Sequence, residues 1–189
     1  MANSKPKFTF VNIIFFVLFG VLTGVLWAFA NPIPLIPGAV HLRIFAFLVT
    51  SIGFLFGPVT GFFSGYIGTI VWALISGNFI PLHSPLTDGI MVGLSAALPA
   101  LIMVGKKKLD EVLEKKGTFI WKCILWCVLS GILMIVVTSA SLAFFTGMDY
   151  WFCVFWIGIA DIAPLIVTPF VVLLLAPRLK RLQTIVPYC

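Results

Sequence analysis

The stretch FGVLTGVLWAFA, residues 19–30, sets Gly20, Gly24 and Ala28 four residues apart inside an otherwise bulky apolar run. Three readings compete for it: the end of a signal peptide cut after Ala30, an ordinary membrane anchor, or a helix face shaped to receive another helix. The choice depends on the rest of the chain.

Around this stretch, 61% of the 189 residues are hydrophobic and 10% are charged, where an average soluble domain carries about 25% charged residues. Mean hydropathy is +1.18. Such a chain is an integral membrane protein, counted in spans of about 20 apolar residues rather than in soluble domains. The net charge of +6 does not point to nucleic acid, because the basic residues fall in short clusters between apolar segments: Lys5 and Lys7, Lys106 to Lys108, Lys115 and Lys116, and Arg178 to Arg181. Clusters of this kind are topology signals facing an anionic leaflet.

Apolar segments lie at about residues 9–29, 43–56, 58–77, 88–105, 119–146 and 151–176, which predicts an all-α bundle of six transmembrane helices in one domain over 1–189. The second segment is short enough to be re-entrant on length alone, and Phe-Gly-Pro at 56–58 turns it tightly into the third. The basic connections fall on one side only if all six segments cross. The expectation is therefore a multi-pass protein of the cell membrane with both termini cytoplasmic. The connections at 30–42, 78–87 and 147–150 then lie outside, where a solute would be met. The same pattern argues against a signal peptide, since the first apolar run is about 20 residues long where a signal core has about 7 to 15. Its removal would also leave an odd number of crossings.

Small residues at four-residue spacing let helix backbones approach closely in lipid. A second ladder runs through Gly57, Gly61 and Gly65, with Gly68 adding a further contact. Each ladder fits packing inside the bundle, and the first fits a partner subunit equally well.

Ionisable groups inside a membrane are costly and are functional candidates by default. Asp161, in WIGIADIAPLIVTPF, is the one deep carboxylate, and Pro164 and Pro169 after it can free backbone carbonyls and bend the helix. It serves either as a structural partner, with Arg43 as the candidate counter-ion, or as a ligand contact at the floor of an outward-facing pocket. Nearer the outer surface are His41, Arg43, Asn78, His83, Ser84, Thr87 and Asp88. Trp27, Trp72, Trp151 and Trp156 lie towards outer helix ends, with Tyr150 and Phe79 beside the loops, as interfacial belt residues or as stacking partners for a planar ligand.

The four cysteines, Cys123, Cys127, Cys153 and Cys189, form no CxxC pair and no His-containing metal pattern, so no metal site is expected. Walker loops, GxSxG, HExxH and paired carboxylates at catalytic spacing are also missing. The chain is therefore not expected to be an enzyme. The lack of an intramembrane proton relay and of a detectable inverted repeat fits most secondary transporters poorly.

Six helices in under 200 residues, the ladder in helix one, a Pro-rich first outer loop, the run LFGPVTGFFSG at 55–65 and a basic fourth connection together resemble the substrate-binding membrane subunit (S component) of energy-coupling factor (ECF) vitamin transporters. The resemblance implies capture of a vitamin in the outer half, release driven by a shared transmembrane coupling subunit with two cytosolic ATPases, and docking on that subunit through helix one. By location it implicates His41, Arg43, His83, Asp88, Trp151, Trp156 and Asp161 in substrate binding, and Gly20, Gly24 and Ala28 in docking. The long first loop is most similar to that of the cobalamin-specific members, where His41, His83 or Cys153 would approach the cobalt of a bound cobalamin. A queuosine precursor, a folate or another vitamin stays open, as do an autonomous carrier and a membrane enzyme using Asp161.

Overall fold

The computed structural model describes residues 10–30, 33–36, 40–105, 109–186 and 188–189, with the side chains of 162–164 also outside the description. Lys5, Lys7, Lys106 to Lys108 and the ring of Pro164 thus lie outside the described residues.

Apolar runs without charge have only one way to satisfy their backbone in lipid, which is to close every hydrogen bond within a helix. Accordingly, helix α1 (Phe10–Phe29) carries no charged residue over its 20 residues and spans about 30 Å. A short antiparallel hairpin follows, β1 (Pro34–Ile36) with β2 (Val40–His41), pairing Pro34 with His41 and Ile36 with Val40. One 3-10 turn, Ile44–Ala46, leads into α2 (Phe47–Phe56). Gly57 then takes φ +107, a conformation open to glycine but strained for other residues, and Pro58 occupies the first turn of α3 (Pro58–Ile75).

The stretch after α3 winds into a π-helical turn at His83–Asp88, continuous with α4 (Gly89–Met103). A short α5 (Leu109–Leu113) precedes the 31-residue α6 (Lys116–Thr146). Gly147, at φ +73, caps α6, and Asp149 starts α7 (Tyr150–Leu175) by accepting a hydrogen bond from the Phe152 amide at 2.8 Å. Helix α8 (Lys180–Ile185) closes the chain.

The expected all-α membrane fold holds, with helix bounds close to those read from the sequence. Five helices are long and apolar enough to cross a membrane, and the chain is a membrane protein. The sixth expected span, Ile44–Phe56, is shorter than a full crossing, because one 3-10 turn and ten α-helical residues reach only about 20 Å of a hydrocarbon core about 30 Å thick. The outer connection expected at 78–87 is instead helical from His83, and the first outer loop holds the hairpin.

Both small-residue ladders point inward. A Cβ on Gly20 would stand 2.7 Å from Ile67 Cβ, and one on Gly24 would stand 2.7 Å from both the Gly68 carbonyl oxygen and Val71 Cβ. The Ser64 hydroxyl adds a 3.4 Å bond to the Phe16 carbonyl across the same seam. On α3, a Cβ on Gly61 would lie 2.6 Å from the Cα of Gly53, and one on Gly65 would lie 3.2 Å from the Cα of Gly93. Helix α3 is therefore the central post against which α1, α2 and α4 lean. The expectation that Gly20, Gly24 and Ala28 form a free docking stripe is corrected here: Gly20 and Gly24 are buried against α3, and Ala28 is half-buried against the core.

The interior divides into two layers. One gathers Trp27, Val49, Trp72, Met91, Met134, Leu142 and Ile157 near the hairpin end. The other gathers Phe54, Phe56, Phe119, Cys123, Cys127, Leu165 and Val172 towards the opposite end.

Candidate functional site

In the layer nearer the hairpin, a charge cluster sits where an apolar core would be expected. Arg43 follows the hairpin directly, and the 3-10 turn that it caps holds it against the helices rather than in solvent. Its guanidinium is buried, with Nη2 donating to Asp88 Oδ2 at 3.0 Å and Nη1 standing 3.9 Å from Asp161 Oδ1. Aromatic rings cover it as well: its carbon centre lies 5.5 Å from the ring of Trp27 on α1 and 4.5 Å from that of Trp72 on α3. Delocalised guanidinium is the cation best suited to such stacking. Asp88 owes its place to the π-helical turn, whose register brings His83, Ser84 and Asp88 inward together. Asp161 lies on the buried stripe of α7 formed by Cys153, Ile157, Ala160 and Leu165.

Around this centre runs a polar rim. His83 Nδ1 lies 2.9 Å from Ser141 Oγ, which in turn donates to Thr87 Oγ1 at 3.1 Å. Asn78 Nδ2 donates to His41 Nε2 at 3.3 Å, and the His41 ring meets Trp72 edge-on at 5.6 Å. Burial first, and then the positive charge of Arg43, push His41 below the ordinary imidazole range, so its ring stays neutral at neutral pH. Ser84 is committed to structure, accepting from the Ile80 amide at 3.0 Å.

Two spaces flank the cluster and share Arg43, Met134 and Asp161 in their walls. The larger, about 330 Å³ not filled by atoms, is closed by Val40, His83, Asp88, Thr138, Leu142 and Ile157. The smaller, about 240 Å³, adjoins Trp27, Val49, Ser95 and Leu165. Three buried polar groups here have no hydrogen-bond partner: Trp27 Nε1, Trp72 Nε1 and Thr138 Oγ1. Buried polar atoms are satisfied in the great majority of cases, so such a group beside a space marks a place for water or a ligand.

Of the residues expected at the site, the structure brings together Arg43, His83, Asp88 and Asp161, with His41 one shell outside through Trp72. Trp151 stays apart, 73% exposed, with its ring against Tyr150. Trp156 is half-buried beside Phe152 and Phe155. Both miss the cluster because helical rotation carries positions 151 and 156 off the stripe that buries Ile157 and Asp161. The face of α6 carrying Met134, Thr138 and Ser141 was not anticipated; its only sequence signal is two hydroxyl residues three apart in an apolar helix.

The buried Cys123 and Cys127 lie 3.8 Å apart, Sγ to Sγ, in the opposite layer as free thiols. Cys153 is buried and does not line the larger space, whereas His83 does. Among the described residues no three His, Cys, Asp or Glu side chains are grouped to hold a metal ion. No family model, no curated protein and no solved structure matches the chain.

Proposed function

We propose that the chain is the substrate-capture subunit of an ECF-type importer, taking a vitamin-sized organic solute into the space beside Arg43, Asp88 and Asp161 from the hairpin end, which faces outward. The observation that carries this reading is the buried charge cluster itself, built from α4, α7 and the hairpin and flanked by spaces with unsatisfied polar groups. Charges at such depth are retained where they serve a pathway or a ligand. A chain without an energy-converting motif needs its energy from elsewhere, so the proposal includes a transmembrane coupling subunit and two cytosolic ATPases as partners, and cytoplasmic termini. That partner cannot grip the Gly20–Gly24 face unless α1 first leaves α3.

Cobalamin was the vitamin expected first. Spaces of about 330 and 240 Å³ sit at or below the lower end of small-molecule pockets. A corrinoid therefore requires the outer elements to part, whereas a smaller vitamin does not. Mass spectrometry of the gently solubilised protein tests the reading, with a bound organic solute as the expected result. Accumulation of that solute in liposomes by the purified chain alone, without ATPase subunits, would show an autonomous carrier and sink the importer assignment.

A further inference from the structure

Two carboxylates and one guanidinium share the buried cluster, and this stoichiometry decides what kind of ligand completes it. The inference rests on the capture reading above and adds the charge of the cargo.

Arg43 is already committed: Nη2 donates to Asp88 at 3.0 Å, and rings of Trp27 and Trp72 lie over it. An anionic ligand would have to compete with Asp88 for that guanidinium and would enter beside the second carboxylate. Asp161 stands differently. Its nearest cation is 3.9 Å away, beyond hydrogen-bond length, and no hydrogen bond to its carboxylate is found among the described residues. It is 4% exposed and borders both spaces. Across the larger space stands Thr138, also 4% exposed, whose Oγ1 has no hydrogen-bond partner. With the imidazoles neutral, one positive and two negative side chains leave a single negative charge uncompensated in a buried site, a costly state without a counter-ion.

We infer that the site takes a small organic cation. Its positively charged N–H group donates to Asp161, a hydrogen bond from or to the ligand satisfies the Thr138 hydroxyl, and its apolar body lies on Met134, Leu142 and Ile157. Arg43 acts as a positioning residue, holding the carboxylates apart rather than touching the cargo's charge.

The test uses the full chain in detergent and three ligands of one shape and different charge: benzylammonium, benzyl alcohol and benzoate. Benzylammonium is expected to raise the unfolding temperature at concentrations where benzyl alcohol gives a smaller rise and benzoate none. Asp161→Asn is expected to weaken benzylammonium binding about 10- to 100-fold, the loss of one charge-assisted hydrogen bond. An equal or larger shift with benzoate or benzyl alcohol, no shift with benzylammonium, or undiminished binding in Asp161→Asn overturns the assignment. Should that variant fail to fold, the wild-type charge series decides alone. Failure here leaves the importer reading standing, since that one is decided by uptake with and without ATPase subunits.

Discussion

Arg43 carries more of the structure than any other single side chain at the hairpin end, because two carboxylates and two indole rings depend on it. Removing one partner of a buried charge cluster is far more damaging than the net worth of the pair, since it strands the other partner in low dielectric. Arg43→Ala is therefore expected to destabilise the protein by about 3 to 5 kcal/mol. Arg43→Lys should recover only part of this, because an ammonium keeps the charge but loses the planar stacking on Trp27 and Trp72. Asp88→Asn should cost more than Asp161→Asn, as their distances to the guanidinium are 3.0 and 3.9 Å. Unfolding midpoints of the four variants in detergent test the order; an Arg43→Ala midpoint equal to wild type would mean that the cluster does not hold the fold. These residues were legible in the sequence because a charge in so apolar a chain is rare and expensive. Trp27 and Trp72 were seen only as belt candidates, since amphipathic indoles read alike at an interface and over a buried cation. Thr138 was invisible, because hydroxyl residues are common in membrane helices and only the structure shows one without a partner.

At the scale of helices, the spacing of Gly20 and Gly24 correctly announced a close approach but not the surface approached. A small-residue stripe states that a backbone comes near, and nothing in its period says whether that backbone is in the same chain. The structure answers with α3, where a Cβ on Gly24 would stand 2.7 Å from a carbonyl oxygen that cannot retreat without moving the helix. Gly24→Leu is accordingly expected to cost about 3 kcal/mol or more through overpacking. Gly158 on α7 is the internal control: a Cβ there meets nothing within 4 Å, so Gly158→Ala should be neutral or stabilising by about 0.5 to 1 kcal/mol, the helix-propensity gain. Thermal unfolding of both proteins separates the cases. If Gly24→Leu kept wild-type stability, the α1–α3 seam would not be the resting place of that face. The helical start at His83 escaped the sequence reading for a local reason, since Pro85 and the polar residues around it look like a loop, and the wide π-helical turn is what accommodates them.

For the whole molecule, the number of crossings follows from where the ends of the chain meet. Asn12, near the start of α1, donates from Nδ2 to Cys189 Sγ at 3.3 Å, and the Cys189 backbone bonds with Phe56 and Val59 across the α2–α3 turn. Gln183 on α8 reaches the Leu55 carbonyl at 3.0 Å. The start of α1, the α2–α3 turn and the end of the chain therefore share one end of the bundle, while the hairpin and the charge cluster occupy the other. That arrangement makes the stretch Ile44–Phe56 run from one end to the other despite a length of only about 20 Å. It can do so because Arg43 begins it below the rim of the longer helices, so the missing length is taken up by the buried cluster rather than by lipid. A short second span and a deep charge site are then the same structural fact. The expected outcome is that an N-terminal tag and a thiol at position 180 (Lys180→Cys, with Cys189→Ser) are reached from the same side of the membrane, and a thiol at position 151 (Trp151→Cys) from the other. Membrane-impermeant thiol labelling and tag proteolysis in sealed vesicles read this directly, since Cys123, Cys127 and Cys153 are buried. A tag and a position-180 thiol reached from opposite sides would mean that the short segment does not cross, and the cluster would then lie at the membrane surface instead of within it.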